Sequence, residues 1–181
     1  IARSETMTGR PRHIVLDGPA RSLKSDRIAL LLEATERSVH GFITRRLDAD
    51  ETGFHPIYIH PAGRAVREHG SGNLVGTCDS KVHHVNTRVF EELGVEYLDA
   101  PSGGIVVMDE LGFMEAGADA FTRKVLTLLE GDLPVIASTK ARTDVPFLCN
   151  VRSHPNCRVY AVTPENFEEL YAKLLPIVRS W

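Results

Sequence analysis

Apolar positions along the chain fall into two alternating signatures: short solid runs of aliphatic residues, and stretches where they return every three to four positions. Ile14-Val15-Leu16 is the first solid run and reads as a buried strand. Ile28, Leu31, Leu32, Thr35 and Val39 then recur at helical spacing, which predicts an amphipathic helix over residues 22–38. Residues 40–46 (HGFITRR) read as a strand, 48–53 (DADETG) as a turn, and the alternating 54–60 (FHPIYIH) as a second strand, making a hairpin. Pro56 points to an edge position for that second strand, and Pro61 to Gly63 turn the chain again. Residues 64–85 have no clear period, and Gly70, Gly72 and Gly76 suggest loops or short strands. A helix follows, capped by Asn86 and stopped at Gly94. Gly104 to Met108 (GIVVM) is the continuous run of a central parallel strand, ending in Asp109-Glu110. Residues 116–130 form a helix with Phe121, Val125, Leu128 and Leu129 on one face, and 133–138 another buried strand followed by a Lys/Arg-containing loop. Residues 158–162 are a last strand, and Pro164 at the first helical position opens a final helix to about Arg179.

Strands alternating with helices imply an α/β fold, a mostly parallel sheet flanked by helices on both faces, with the 40–60 hairpin as an added antiparallel piece. There is no repeat, low-complexity tract or linker, so residues 13–181 are expected to form a single domain behind a polar, basic, flexible leader at 1–12. Neither the composition nor the net charge of −3 points to nucleic acid or an anionic membrane surface. Cys78, Cys149 and Cys157 lack C-x-x-C spacing, so free thiols in a reducing, cytoplasmic setting are expected. No apolar run approaches the roughly 20 residues of a membrane span.

The segment from His13 to Ser25, HIVLDGPARSLKS, places a glycine turn between the first strand and the first helix. That is the layout of a phosphate-binding P-loop, G-x-x-x-x-G-K-[ST], with Gly18, Lys24 and Ser25 in register and Leu23 in place of the second glycine. The residues of this Walker A segment, Gly18, Pro19, Ala20, Arg21, Ser22, Leu23, Lys24 and Ser25, are the expected phosphate cradle: amides at a helix N-terminus face the anion, the lysine reaches the outer phosphates, and the serine hydroxyl holds Mg²⁺. A leucine Cβ beside the lysine brings a risk of clash and of a strained dihedral. The plainer reading is an ordinary strand-to-helix connection capped by Ser22. Further along, IVVMDE has the form of a Walker B segment: Asp109 at the strand end is placed to hold Mg²⁺ with Ser25, and Glu110 to activate water. Each segment alone has a structural explanation; both, in this order, favour nucleotide binding.

Other clusters point less clearly. His83-His84 in a strand face opposite ways, His55 and His60 do not share a face, and Cys149, His154 and Cys157 lack a nearby fourth ligand. Ser138-Thr139-Lys140 sits where a phosphate-sensing side chain would be, or is a plain polar loop. Arg123, Arg142 and Arg152 are each open as an arginine finger or as solvated surface.

GFITRR, VNTRVFEELGV, IVVMDELGFMEAGADAF and VTPENFEEL, in this order behind the P-loop, resemble the small P-loop nucleoside-triphosphatase family of thermophilic prokaryotes, which includes the cancer-related nucleoside-triphosphatase. The likeness runs from about His13 to Leu175 and is most specific at Asp109 to Glu115, DELGFME. It implies a RecA-like P-loop NTPase fold, an ATPase/GTPase-type activity with Mg²⁺ and broad nucleotide choice, and a catalytic glutamate after the Walker B aspartate. Arg21 and Leu23 replace the family's second and third loop glycines, and Phe167 replaces the arginine of its T-x-E-N-R pattern.

The expected activity is binding and slow hydrolysis of a nucleoside triphosphate with Mg²⁺, Glu110 and Lys24 acting in catalysis, without nucleic-acid or membrane partners. The alternative is a non-hydrolysing nucleotide-binding or accessory protein with an unidentified protein partner. A third class, phosphoryl transfer to a small acceptor, lacks an acceptor pocket or lid that the sequence can point to.

Overall fold

The computed structural model describes residues 12–19, 23–64 and 68–181. The elements are β1 (His13–Gly18), α1 (Lys24–Leu32), β2 (Ser38–Arg46), β3 (His55–Pro61), β4 (Leu74–Cys78), β5 (His83–Val85), α2 (Thr87–Val89), α3 (Val95–Tyr97), β6 (Gly104–Leu111), α4 (Asp119–Glu130), β7 (Val135–Lys140), α5 (Pro146–Ser153), β8 (Cys157–Ala161) and α6 (Phe167–Arg179). Among the described residues one eight-stranded sheet runs β5-β4-β3-β2-β6-β7-β1-β8. The five strands from β2 to β8 are parallel, while β3, β4 and β5 add antiparallel ribbons beyond β2.

Successive side chains of the central strands point to opposite faces, and each face is apolar. Val15, Val106, Met108, Val135 and Ala137 pack beneath Phe121, Val125 and Leu129 of α4 and Phe147, Leu148 and Val151 of α5. Ile14, Leu16, Ile105, Val107 and Ile136 meet Ile28 and Leu31 of α1 and Leu170, Leu174 and Val178 of α6 on the other. The solid runs IVL, GIVVM and PVIAS therefore have to be apolar at every position, as expected for strands covered twice.

Several boundaries differ from the periodicity reading. Helix α1 ends at Leu32, where Ala34 and Thr35 amides turn back to the carbonyls of Leu31 and Leu32, so Val39 belongs to β2. Pro56 is not on an edge: β3 lies between β2 and β4, with Pro56 opposite Thr77. The proline is tolerated there because it is the second residue of the strand and the register shifts at Ile57/Tyr58, where a bulge relaxes the ladder. Gly94 does not stop the helix. Helical backbone continues from α2 through a π-type stretch, Phe90–Gly94, into α3. The glycine is there for space, since a Cβ would stand 2.7 Å from the Phe121 ring. Pro164 precedes the last helix rather than opening it; Asn166 caps the turn by accepting the Thr163 amide at 3.0 Å, and α6 begins at Phe167. Helix α5 was hidden in the loop after β7, and Pro146 at its start is the signal that marks it.

Candidate functional site

The candidate cleft follows from the order of strands. Helix α1 leaves β1 toward one apolar layer, and α5 leaves the neighbouring β7 toward the other. Connections that diverge to opposite faces open a cleft at the carboxyl ends of the strands between them. Gly18 ends β1 there, Lys140 ends β7, and Asp109-Glu110 lie near the end of β6.

Lys24, the first residue of α1, turns into this cleft and is only 5 % exposed. Its Nζ donates to the Gly18 carbonyl at 2.6 Å and the Thr139 carbonyl at 2.9 Å, and pairs with Glu110 Oε2 at 2.5 Å. Lys140 approaches the other oxygen of that carboxylate, Oε1, at 4.0 Å. Asp109 is buried, and its Oδ1 accepts from Ser25 Oγ at 3.0 Å and Ser138 Oγ at 2.8 Å. Thr44 of β2 braces the segment, its hydroxyl donating to the Asp109 carbonyl at 3.5 Å and accepting the Glu110 amide at 3.4 Å. The structure thus brings Lys24, Ser25, Asp109 and Glu110 from separate segments into one cleft. Gly18 lies beside it with its carbonyl on Lys24 Nζ and Pro19 follows in the chain, while Ala20, Arg21 and Ser22, like residues 1–11 of the expected leader, fall outside the described residues.

Leu23 adopts the left-handed conformation, φ 61° and ψ 25°, and starts α1 without a side-chain cap. Its side chain is 58 % exposed at the rim of the cleft. A left-handed non-glycine residue costs roughly 1–2 kcal/mol, so the strain foreseen from the missing glycine is present. It is carried by the folded chain itself, since the backbone already has the conformation a loop glycine would take.

The cleft is one end of a cavity of about 660 Å³ that extends past Glu110 over the antiparallel strands, with Arg46, Asp48, His55, Asp79 and His83 along its walls. Phe113 stands in it between the His83 ring, 4.6 Å away, and the Arg142 guanidinium at 4.7 Å. Glu115 is buried at the cavity floor, where its Oε1 accepts the Gly112 amide and closes the turn after β6. Burial pushes its carboxyl up to about 7, against a smaller lowering by that amide.

The polar groups that sequence reasoning passed over lie behind this front. Asp17 accepts from Thr139 Oγ1 at 2.6 Å and from Arg152 Nη1 at 3.4 Å, tying β1 to β7. An acidic residue inside an otherwise apolar run, VLDG, was its available signal. Arg152 also donates to the carbonyls of Lys140 and Arg142, which makes it a brace for the loop after β7. Arg142 pairs with Asp144 at 2.5 Å, and Arg123 sits exposed on α4 and is not among the residues lining the cavity. Among the described residues no group of three or more His, Cys, Asp or Glu side chains is placed to hold a metal by itself, and the three cysteines are free. No described helix is long and apolar enough to cross a membrane.

Residues 13–175 match the family model described as NTPase. The nucleoside-triphosphatase THEP1 of Methanothermobacter thermautotrophicus is 26 % identical over 97 % of this chain and 95 % of its own. Two solved structures share the fold: THEP1 from the hyperthermophile Aquifex aeolicus, with a TM-score of 0.68, 19 % identity and coverage of 92 % of this chain and 98 % of that one; and a human cancer-related nucleoside triphosphatase, with a TM-score of 0.65, 21 % identity and coverage of 93 % and 98 %. The shared architecture is that of a P-loop NTPase, a mostly parallel sheet between helices with an antiparallel portion.

Proposed function

Because the chain belongs to the NTPase family, we propose that it binds a nucleoside triphosphate in the cleft between the carboxyl ends of β1 and β7 and hydrolyses it slowly. The observation that supports this most directly is the convergence of Lys24, Ser25, Asp109 and Glu110, with one ammonium 2.5 Å from one carboxylate. Lys24 binds the outer phosphate oxygens in this reading. To do so it exchanges the Glu110 carboxylate for phosphate, which frees Glu110 to take a proton from the attacking water. The water oxygen forms a bond to the γ-phosphorus, the bond to the β,γ-bridging oxygen breaks, and nucleoside diphosphate and phosphate leave.

The donor set near the phosphate site suits Mg²⁺: a hydroxyl, Ser25 Oγ, lies 3.0 Å from the carboxylate oxygen Asp109 Oδ1, both hard oxygen donors, and this ion commonly takes one or two protein ligands, keeping its other positions for water and phosphate. Ser25 and Asp109 would hold it. When bound, it offsets the charge of the β- and γ-phosphate oxygens. Ser138 keeps the Asp109 carboxylate oriented from behind.

One observation favours a second reading, nucleotide binding without turnover. Lys24 is buried against two carbonyls and Glu110, and a Glu110 that stays paired with Lys24 is not free to take a proton from water. Thermal melts with MgATP and MgGTP address binding, and timed phosphate release separates the two readings. Ligand at 100 times its Kd adds about 2.7 kcal/mol, a rise of roughly 5–10 °C for a chain of this size. A rise with phosphate release supports the hydrolase. A rise without release selects the second reading, and no rise at millimolar nucleotide rejects both.

A further inference from the structure

A second cavity, of about 610 Å³, lies at the amino ends of the parallel strands, the opposite end of the sheet from the cleft. Strand β1 joins the two. His13, its first residue, lines this cavity, and Gly18, its last, borders the cleft, roughly 17 Å away at about 3.3 Å per residue. The two cavities share no lining residue. Pockets of roughly 300–1,000 Å³ are the usual size for small-molecule ligands.

The charge of its walls is one-sided. Arg12, Arg37 and Arg158 line it against a single carboxylate, Asp132, in a chain whose formal net charge is −3. Asp132 pairs with Arg12 at 2.6 Å but is 92 % exposed, so water screens the pair and an incoming anion can compete with it. His13 adds no charge, because its Nδ1 accepts the Val135 amide at 3.2 Å while its Nε2 donates to the Leu129 carbonyl at 2.8 Å. Helix α6 ends here, and the carbonyls of Pro176, Ile177 and Val178 at its negative end are taken up by the amides of Ser180 and Trp181.

The fold sets the cationic and aromatic groups in place. Arg37 Nε donates to the carbonyl of Gly104, the first residue of β6, at 3.2 Å. Arg158 is in register with Ile14 and Tyr160 with Leu16, so both project from β8 onto the face covered by α6. The Arg158 guanidinium lies 5.7 Å from the centre of the Tyr160 ring. Tyr160 and Trp181 are half-buried against the apolar cluster under α6, and both line the cavity. Guanidinium forks suit phosphate oxygens, and an aromatic face suits any base.

We infer that this cavity binds a free nucleotide, a second one beside any held in the cleft. The arginines take its phosphates, and Tyr160 or Trp181 carries its base. The site goes beyond the reading of the cleft and stands whether or not nucleotide is turned over there.

Trp181 is the single tryptophan of the chain, so its emission and its one indole N–H resonance report on this cavity. ADP without Mg²⁺, and pyrophosphate in parallel, are titrated into the wild type, Arg37→Gln and Arg158→Gln. Millimolar ADP should shift the resonance and quench the emission along one saturating curve. Each arginine variant should raise the midpoint about tenfold, the loss of one charge-assisted contact. Pyrophosphate, with comparable charge and no ring, should bind at least about tenfold more weakly than ADP. The inference is overturned if neither signal moves, or if pyrophosphate matches ADP, which would leave the rings without a part. It is overturned as well if the midpoint is unchanged in either arginine variant, since the response then originates elsewhere, the cleft included. None of these results bears on the cleft, which nucleotide melts and phosphate release test separately.

Discussion

On the β6 bank of the cleft, Asp109 accepts from two hydroxyls, Thr44 braces the following amide, and Glu115 closes the turn through the Gly112 amide. Across the cleft, α1 begins on a leucine at φ 61° with no side-chain cap, its side chain turned to solvent. The bank that would carry the chemistry is held by these contacts. The bank that would grip the phosphate holds Lys24 by two carbonyls and Glu110 but opens on a strained residue. The difference teaches that rate and grip are supported from different elements, β6 and the start of α1, which meet at the Lys24–Glu110 pair and the Ser25–Asp109 hydrogen bond.

Glu110→Gln breaks the comparison hardest. It keeps the shape of the β6 bank and removes the base, so phosphate release should fall about 10²–10⁴-fold. The same change removes the carboxylate that competes for Lys24. Nucleotide affinity should therefore rise rather than fall, and calorimetry beside a release assay reads both; weaker binding in this variant would count against the exchange of Glu110 for phosphate.

Glu115 tests how the β6 bank depends on pH. Burial holds its carboxyl neutral up to about 7, whereas the unfolded chain ionises it at 4.5. Between those values the folded state holds a proton that the unfolded state has lost. Stability from this group is thus full below the lower value, falls as pH rises through the window, by roughly 3 kcal/mol in all, and levels off above it. Glu115→Gln keeps an acceptor for Gly112 and does not titrate. Its melting temperature should exceed that of the wild type by roughly 5–10 °C at pH 8 and match it near pH 4. Equal melting curves at pH 8 would show that the carboxyl is not held neutral.

Ser138→Ala removes one hydroxyl donor from the buried Asp109. A hydrogen bond to a charged group contributes about 1.5–3 kcal/mol, so denaturant melts should show a loss in that range. A loss under 0.5 kcal/mol, on the order of a surface change, would mean that the bank is less interlocked than its contacts suggest.

Leu23→Gly sharpens the other side with the smallest effect. Because the leucine already holds the left-handed conformation, the strain weighs on folding and not on binding. Glycine should raise stability by about 1 kcal/mol or less, once the freer unfolded chain is allowed for, and change nucleotide affinity under about threefold. A large gain in affinity would return the obstacle to the leucine side chain.

Much of this was legible before any coordinates. IVL, GIVVM and PVIAS announce strands buried on both faces, and the amphipathic stretches between them announce covering helices. Pairing of the Walker-type segments, 13–25 and 104–110, put the candidate site at the strand ends. Local signals misled where they served another end: Gly94 makes room for Phe121 and does not stop a helix, and Pro56 sits beside a bulge inside the sheet. Lys140 read more readily as part of a plain polar loop than as a phosphate-sensing side chain, because no local pattern reveals that β7 inserts between β1 and β6.

What the residue order alone determined is the set of elements, the faces they bury, and which side chains carry charge or hydroxyls, since periodicity and side-chain chemistry are properties of nearby positions. Tertiary structure decided the rest: that Lys24 and Glu110 meet at 2.5 Å, that Lys140 stands across from them, and that Leu23 rather than a glycine takes the left-handed turn. Those depend on strand order and on the faces chosen by the crossing helices. Contacts between distant segments set both, and no local pattern encodes them.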